Sequence, residues 1–301
     1  MTDYASFLGE RTFVIFLLHG VIRADTHPVR NYNKKHLPLD EFTAILESLC
    51  RSGAAVSMPQ IVSASLGADP LPPRAFAVTF DDGFENVYSV AAPVLRRLGL
   101  PATFYFTTKF VDENAPSWVD MIDYAVEITS SFRLSLPFVA GPRVYDTPRK
   151  KRELLESIRG FVKSNPAIDP YEFAEEVWRQ LDVKVMKPDP ELDQKLSWEK
   201  VRALADDDLF TIGGHSHTHR ILEYLSQAEL GEEIATSLNK LRSNINKPIK
   251  HYSYPEGLAN CYSDRVIAAL KSHGIVCSPT AEHGVNRLGD DLFRLKRIAV
   301  T

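Results

Sequence analysis

Short apolar segments that alternate with helical patterns are the feature that most constrains the fold of this 301-residue chain. Candidate strands lie at residues 12–18, 75–80, 102–107, 209–212, 250–254, 274–278 and 296–300. Apolar side chains recur at helical spacing in residues 39–50, 87–98 and 229–245. Such alternation is typical of parallel β/α folds, and this number of strands suits a barrel better than an open sheet. We therefore predict an α/β barrel of about seven parallel strands, formed by a single domain of residues 1–301.

Residues 130–196 interrupt the alternation. They contain long helical patterns at residues 147–162 and 170–181 that are rich in Lys, Arg and Glu. Charged helix faces of this kind are usually solvated, although added segments on barrel scaffolds often carry function. We predict that residues 130–196 form a helical insertion within the single domain.

Charge and composition exclude several classes of partner. The formal net charge is −4 and the isoelectric point is near 6.2, so no basic field is available to recruit nucleic acid. Residues 13–18 are too short to span a bilayer and follow no basic region of an export signal. The three cysteines are far apart and lack metal spacing. We expect a cytoplasmic chain without a membrane segment.

Two adjacent carboxylates, Asp81 and Asp82, follow the apolar run at residues 76–80 and precede Gly83. Neighbouring like charges repel, and partial burial raises the cost unless a cation compensates. A metal ion bound by one carboxylate would leave the other free to act as a base. A polar turn after the strand is the alternative interpretation.

Three histidines lie within five residues, at positions 215, 217 and 219, after the apolar run at residues 209–212. His215 and His219 are four residues apart, so on a helical turn they would lie on one side, within reach of one ion. His217 would point away. Two imidazoles and one carboxylate form a three-ligand site with an open position, which is the catalytic rather than the structural arrangement for zinc.

At these residues the chain resembles the polysaccharide deacetylases with NodB homology, carbohydrate esterase family four. Residues 79–83, Thr-Phe-Asp-Asp-Gly, are similar to the first motif of that family, and residues 215–219, His-Ser-His-Thr-His, to its second. Residues 102–104 resemble the strand after the first motif, and residues 252–257 the proline-bearing loop of the third. The resemblance covers about residues 10–300 and implies a distorted NodB-like barrel.

The resemblance also implies a role for each motif residue. Asp82, His215 and His219 would hold the metal ion, and Asp81 would be the general base that activates water for attack on an N-acetyl carbonyl. The backbone N–H of Glu256 would be a second donor to the oxyanion. Glu256 stands where the family usually has an aromatic residue.

A general acid must protonate the departing amine. The branch of the family that deacetylates poly-N-acetylglucosamine places a histidine on the first strand, and residues 16–21, Phe-Leu-Leu-His-Gly-Val, are similar to that arrangement. The resemblance implies that His19 is the acid; a core or loop histidine is the alternative, because an imidazole suits either role. His273 and His283 are the other candidates for the acid.

Substrate contacts are predicted at four residues. Trp118 resembles an aromatic residue of the same branch and would stack on a sugar ring, although anchoring the following helix is an equal alternative. Tyr254 and Pro255 belong to the third-motif loop, but no arginine precedes Pro255 at the family spacing. Arg294 is the predicted cationic contact; it and Arg297 near the C-terminal strand would point towards ligand or face solvent.

The resulting hypothesis is a metal-dependent N-deacetylase for an N-acetylated amino sugar of a bacterial surface polysaccharide or its precursor, such as O-antigen, capsule or exopolysaccharide. One divalent ion is expected, zinc by preference, with cobalt, nickel or iron(II) also compatible. One alternative is an amidohydrolase acting on a small cyclic amide. The other is a catalytically silent member that binds glycan, which the intact acidic and histidine motifs disfavour.

Overall fold

Parallel strands form the main sheet of the structure, a computed structural model that describes residues 2–139, 141 and 143–301. The strands are β1 (Phe13–Leu18), β2 (Gly20–Ile22), β3 (His36–Pro38), β4 (Ala54–Ala55), β5 (Ala75–Phe80), β6 (Ala102–Phe106), β7 (Phe132–Leu134), β8 (Arg143–Tyr145), β9 (Phe210–Gly214) and β10 (Ile298–Ala299). The main sheet has the order β10-β1-β5-β6-β9, with β4 paired to β5, and its pairs are parallel. The predicted α/β class is confirmed.

Two further segments continue the sheet beyond β9 by isolated parallel bridges. Gly214 pairs with Tyr252, and His251 pairs with Cys277. The predicted strands at residues 250–254 and 274–278 are therefore reduced to one or two bridging residues each. When these two segments are added to β10, β1, β5, β6 and β9, the number of successive parallel segments agrees with the predicted number of about seven strands.

Ten helices occur among the described residues, and most strands of the main sheet are followed by one. They are α1 (Leu39–Ser52), α2 (Met58–Ser65), α3 (Ala92–Leu98), α4 (Thr108–Glu113), α5 (Trp118–Ile128), α6 (Pro148–Lys163), α7 (Pro170–Gln180), α8 (Trp198–Ala205), α9 (Gln227–Ile245) and α10 (Asp264–Ser272). Helix α9 begins at a capping box in which Ser226 and Glu229 each accept a hydrogen bond from the backbone N–H of the other. Within the described residues, no helix is both long and apolar enough to cross a membrane.

Strand β1 is buried on both faces, as expected for a central parallel strand. Val14 and Phe16 belong to a large apolar cluster with α1, α3 and α9. Phe13 and Ile15, which alternate with them, pack with Ala77 and α2 in a separate cluster. Burial on both faces fixes the register of the strand, and the register places the residues that follow it.

The chain divides into two compact units, and the single domain with an insertion at residues 130–196 stays a prediction. The first unit comprises Met1–Arg23, His36–Ala115 and Lys195–Thr301, and contains the main sheet. The second comprises Ala24–Lys35 and Pro116–Gln194, and contains α5, α6, α7 and the antiparallel pair β7–β8. The second unit is larger than residues 130–196, because α5 packs with α6 and α7 through its apolar face.

Candidate metal and catalytic site

Two parallel strands deliver His19 and Asp81 to the same edge of the sheet. Strands β1 and β5 pair in register, ending with Leu18 beside Phe80. The backbone N–H of Asp81 donates to the carbonyl of Leu18 at 3.0 Å. His19 is half-buried, and its electrostatic interaction with Asp81 lowers the pKa of that carboxyl group. The structure therefore brings the predicted acid and the predicted base together.

Backbone geometry brings both adjacent carboxylates to one side. Consecutive strand residues normally point to opposite faces, but Asp82 has a φ of 76°, in the left-handed region. Its carbonyl accepts a hydrogen bond from the N–H of Thr107 at 3.2 Å. As a result, Asp81 Oδ2 and Asp82 Oδ1 lie 3.9 and 3.5 Å from Nε2 of His215. An aspartate held in this strained conformation is typical of a functional position.

His215 is fixed by the strand that precedes it. Its N–H donates to the carbonyl of Phe106 at 2.9 Å, which continues the β6–β9 pairing. Its Nδ1 lies 2.9 Å from the carbonyl of Ser253 and donates to it, which leaves Nε2, on the side of Asp82, with a lone pair for a cation. This is the usual way in which a second contact orients a metal-binding imidazole.

His219 reaches the same site through a loop. Residues 215–219 form no helix, so the prediction of a helical turn between the two histidines is wrong. Ser216 and His219 have φ values of 66° and 62°, and the N–H of His219 donates to Oγ of Ser216 at 2.8 Å. The imidazole of His219 stacks against Phe110, with ring centroids 5.8 Å apart. Left-handed backbone at Ser216 and His219, rather than a helical turn, thus brings the two histidines together.

The three predicted ligands fit a divalent metal ion. Asp82 Oδ1 lies 3.5 Å from His215 Nε2 and 3.2 Å from His219 Nε2, and the three ligand atoms all lie within 4.8 Å of one another. Tetrahedral zinc with bonds of about 2.0–2.2 Å separates its ligands by roughly 3.3–3.6 Å. Two imidazoles and a carboxylate are also the donor set of catalytic zinc sites.

The charge of the site also calls for a cation. Asp81 and Asp82 are each only 3% exposed. Burial lowers the pKa of His215, but the carboxylates of Asp81 and Asp82 outweigh it, and the pKa of His215 lies above its usual value. The field at the ligand atoms is therefore negative, which favours a bound divalent cation.

Arg297 binds the predicted base, and sequence reasoning did not assign it this role. Its Nη1 and Nη2 donate to Oδ1 and Oδ2 of Asp81 at 2.9 and 2.7 Å, and Nη2 also donates to Oγ of Ser253 at 2.9 Å. Burial raises the pKa of Asp81, but Arg297 and then His215 outweigh it, so its pKa lies below the usual range. The signal in the sequence is a cation directly before strand β10.

Arg294, the residue selected from the sequence, has different contacts. Its guanidinium forms ion pairs with Asp264 at 2.6 Å and Asp291 at 3.3 Å, and its side chain is 42% exposed. It also lies over the ring of Tyr262. The structure thus joins Arg297, not Arg294, to Asp81.

The third-motif loop lies beside the site, although its Tyr254 is engaged elsewhere. The ring of Tyr254 is buried, and its hydroxyl donates to the carbonyl of Phe293 at 3.0 Å. Pro255 is also buried, and its carbonyl accepts from the N–H of Gly257 at 2.7 Å. Glu256, between them, has a φ of 61°. The strained turn at Glu256 follows Ser253, which contacts Asp81 and His215; the donor role of Glu256 stays a prediction.

The remaining candidates lie in other settings. Trp118 begins α5 in the second unit and is buried in the apolar core of that unit, so its packing there agrees with the anchoring alternative. His273 ends α10, and its Nδ1 lies 2.9 Å from the carbonyl of Ala269. His283 packs edge-on against Phe7. Of the three candidate acids, His19 is the one joined through its strand to Asp81.

Comparison with known proteins identifies the family of the chain. A family model described as polysaccharide deacetylase matches residues 68–278, so the chain belongs to the polysaccharide deacetylase family. Over 72 residues it is 36% identical to the poly-β-1,6-N-acetyl-D-glucosamine N-deacetylase of Escherichia coli K12. That stretch covers 24% of this chain and only 11% of the E. coli protein.

Two solved structures share the fold along nearly the whole chain. IcaB from Ammonifex degensii has a TM-score of 0.62 and 18% identity, covering 98% of this chain and 94% of its own. The BpsB deacetylase domain from Bordetella bronchiseptica has a TM-score of 0.60 and 18% identity, covering 97% of each chain. At this identity the likeness concerns the fold.

Proposed function

We propose that this protein is a metal-dependent N-deacetylase that removes acetyl from an N-acetylated amino sugar of a bacterial surface polysaccharide or its precursor. The observation that carries the proposal is the triad of Asp82, His215 and His219 beside a carboxylate held by Arg297. Family membership supports hydrolysis of an N-acetyl group. The name of the E. coli relative gives an N-acetylglucosamine polymer as the substrate of that protein.

Asp82, His215 and His219 would hold the ion, for which zinc is the preferred identity and cobalt, nickel or iron(II) are alternatives. When bound, such an ion acidifies water and stabilises negative charge on the carbonyl oxygen. Both oxygens of Asp81 accept from Arg297, so the carboxylate is ionised and oriented at neutral pH. A carboxylate accepts about four hydrogen bonds, so Asp81 retains the capacity to take a proton from water.

His19 would then complete the reaction at the other side of the amide. Its imidazole is half-buried beside the Asp81 strand end, and histidine is the side chain that most often transfers protons in general acid–base catalysis, so it would give a proton to the departing amine. The N–H of Glu256 would donate to the oxyanion from the strained turn of the third-motif loop. Asp81, His19 and Glu256 would thus each perform one step of the reaction near the ligand triad.

Acetate release tests this function. The purified chain, stripped with a chelator and reloaded with zinc or cobalt, is incubated with N-acetylglucosamine oligomers of two to six sugars. We expect acetate only from the reloaded protein. If the loaded protein releases none, the same assay is run on nucleotide-linked and lipid-linked amino sugars and on cyclic imides; release from the imides alone would refute a sugar deacetylase.

The setting of the enzyme is a separate proposal. We propose a cytoplasmic step in surface-glycan assembly, and fractionation of cells that produce the tagged chain measures it. Recovery with membranes or in the medium would contradict that setting without affecting the proposed chemistry.

A further inference from the structure

The loop between the two histidine ligands has an anchor that its own sequence does not contain. His215 is tied to β6 and to Ser253, but His219 depends on the conformation of residues 216–218. Left-handed backbone at Ser216 and His219 is costly and persists only where surrounding contacts enforce it. The contacts that hold the middle of the loop therefore decide where the second histidine lies.

Glu233, from helix α9, supplies those contacts. One oxygen, Oε1, accepts from the N–H of His217 at 2.9 Å, from the N–H of Thr218 at 2.5 Å and from Oγ1 of Thr218 at 2.9 Å. Hydrogen bonds to an ionised carboxylate are about twice as strong as neutral ones. Three of them converge on the two residues immediately before His219.

The position of Glu233 is itself rigid. Its side chain is 8% exposed, and the buried residues Leu230, Ile234 and Leu238 fix the same face of α9 against the main core. The other side of the loop is held by α4, where the N–H of Lys109 donates to the carbonyl of His217 at 2.9 Å. The loop is thus clamped between two helices that do not bear ligands.

We propose that Glu233 is a positioning residue for the metal centre: it holds residues 217–218 so that His219 meets the ion together with His215 and Asp82. The inference rests on the metal dependence proposed above. Residues that orient metal ligands typically change metal affinity by roughly 10-fold to 100-fold when they are mutated. A residue that only stabilised the fold would lower stability without changing affinity in the folded protein.

The test compares Glu233→Gln with Glu232→Gln, an exposed glutamate one position earlier on the same helix. Zinc dissociation constants are measured by competition with a chromophoric chelator, and thermal unfolding of the metal-free proteins is measured in parallel. For Glu233→Gln we expect a zinc Kd raised by roughly 10-fold to 100-fold. Glu232→Gln should bind zinc like the wild type.

Thr218→Val is a second variant with a smaller expected effect, and it tests the inference if Glu233→Gln does not fold. It removes the hydroxyl donor but keeps both backbone donors, so the Kd should rise by at most about tenfold. A zinc Kd unchanged in every one of these two variants that folds would overturn the inference. Wild-type protein that binds no divalent ion would instead refute the proposed function, so the two failures are distinguishable.

Discussion

Asp81 in the first unit and Asp123 in the second are both buried carboxylates paired with an arginine, yet their pKa values move in opposite directions. Asp81 is 3% exposed and Asp123 is 8% exposed. Asp81 has a pKa below its usual range, whereas burial raises the pKa of Asp123 to about 6, with Arg159 opposing and Asp120 adding to the rise. Burial and an arginine partner are therefore not sufficient to set the charge of a carboxylate.

The number of donors accounts for the difference. Asp81 accepts from two nitrogens of Arg297 and from Oγ of Ser253 at 3.2 Å. Asp123 accepts from one nitrogen of Arg159, at 2.5 Å, and the other terminal nitrogen of that guanidinium donates to the hydroxyl of Tyr32. Charge-assisted hydrogen bonds compensate desolvation only when enough of them reach the same carboxylate. In the first unit, both terminal nitrogens of Arg297 donate to the same carboxylate.

Removing Arg297 should produce the largest effect on stability. Arg297→Met leaves Asp81 buried without its guanidinium, and we expect a loss of about 3–5 kcal/mol in the free energy of unfolding at pH 7. Arg294→Met is the control, since its exposed ion pairs should contribute less than about 1 kcal/mol. Denaturant titrations of the metal-free proteins measure both. Equal losses would show that Arg297 does not support Asp81.

The pH dependence of the second unit should come next in size. The folded pKa of Asp123, about 6, lies above its ordinary value of 3.8, so its contribution to stability is fully present below pH 4. That contribution, roughly 3 kcal/mol, is lost as the pH rises through 6. The difference in unfolding free energy between wild type and Asp123→Asn, measured from pH 4 to 7, isolates it. A difference that grows in favour of the wild type as pH rises would mean that Arg159 outweighs burial.

The smallest of these effects concerns His19, which adjoins the Asp81 strand end without being part of the arginine pair. His19→Ala should lower acetate release by roughly 100-fold while the protein retains its metal, because the general acid is lost and the ligands are not. His283→Ala serves as the matched variant. Near-normal turnover of His19→Ala together with a large loss in His283→Ala would transfer the acid role to His283.

Local patterns in the sequence were enough to predict which three residues meet in the candidate metal site. Asp82, His215 and His219 belong to short motifs at strand ends, and parallel strands bring such ends to one edge of a sheet. The backbone conformation between the two histidines was not predictable in the same way, because left-handed backbone at Ser216 and His219 replaces the expected helical turn. Strain of that kind depends on tertiary contacts, which no window of sequence contains.

Long-range partners account for the rest of what the sequence did not reveal. Arg297 meets Asp81 from 216 residues away, and it differs from Arg294 in directly preceding strand β10. The second unit combines Ala24–Lys35 with Pro116–Gln194, segments that composition does not connect. In both cases the decisive fact is packing between distant segments rather than periodicity.

The most direct test of the account is to measure zinc content and acetate release for wild type, Asp81→Asn and Asp82→Ala. The account predicts about one zinc in wild type and in Asp81→Asn, with acetate release from Asp81→Asn lower by roughly 10²-fold to 10⁴-fold, and loss of zinc in Asp82→Ala. Equal loss of zinc in both variants, or undiminished acetate release from Asp81→Asn, would contradict the division of roles between the two adjacent carboxylates.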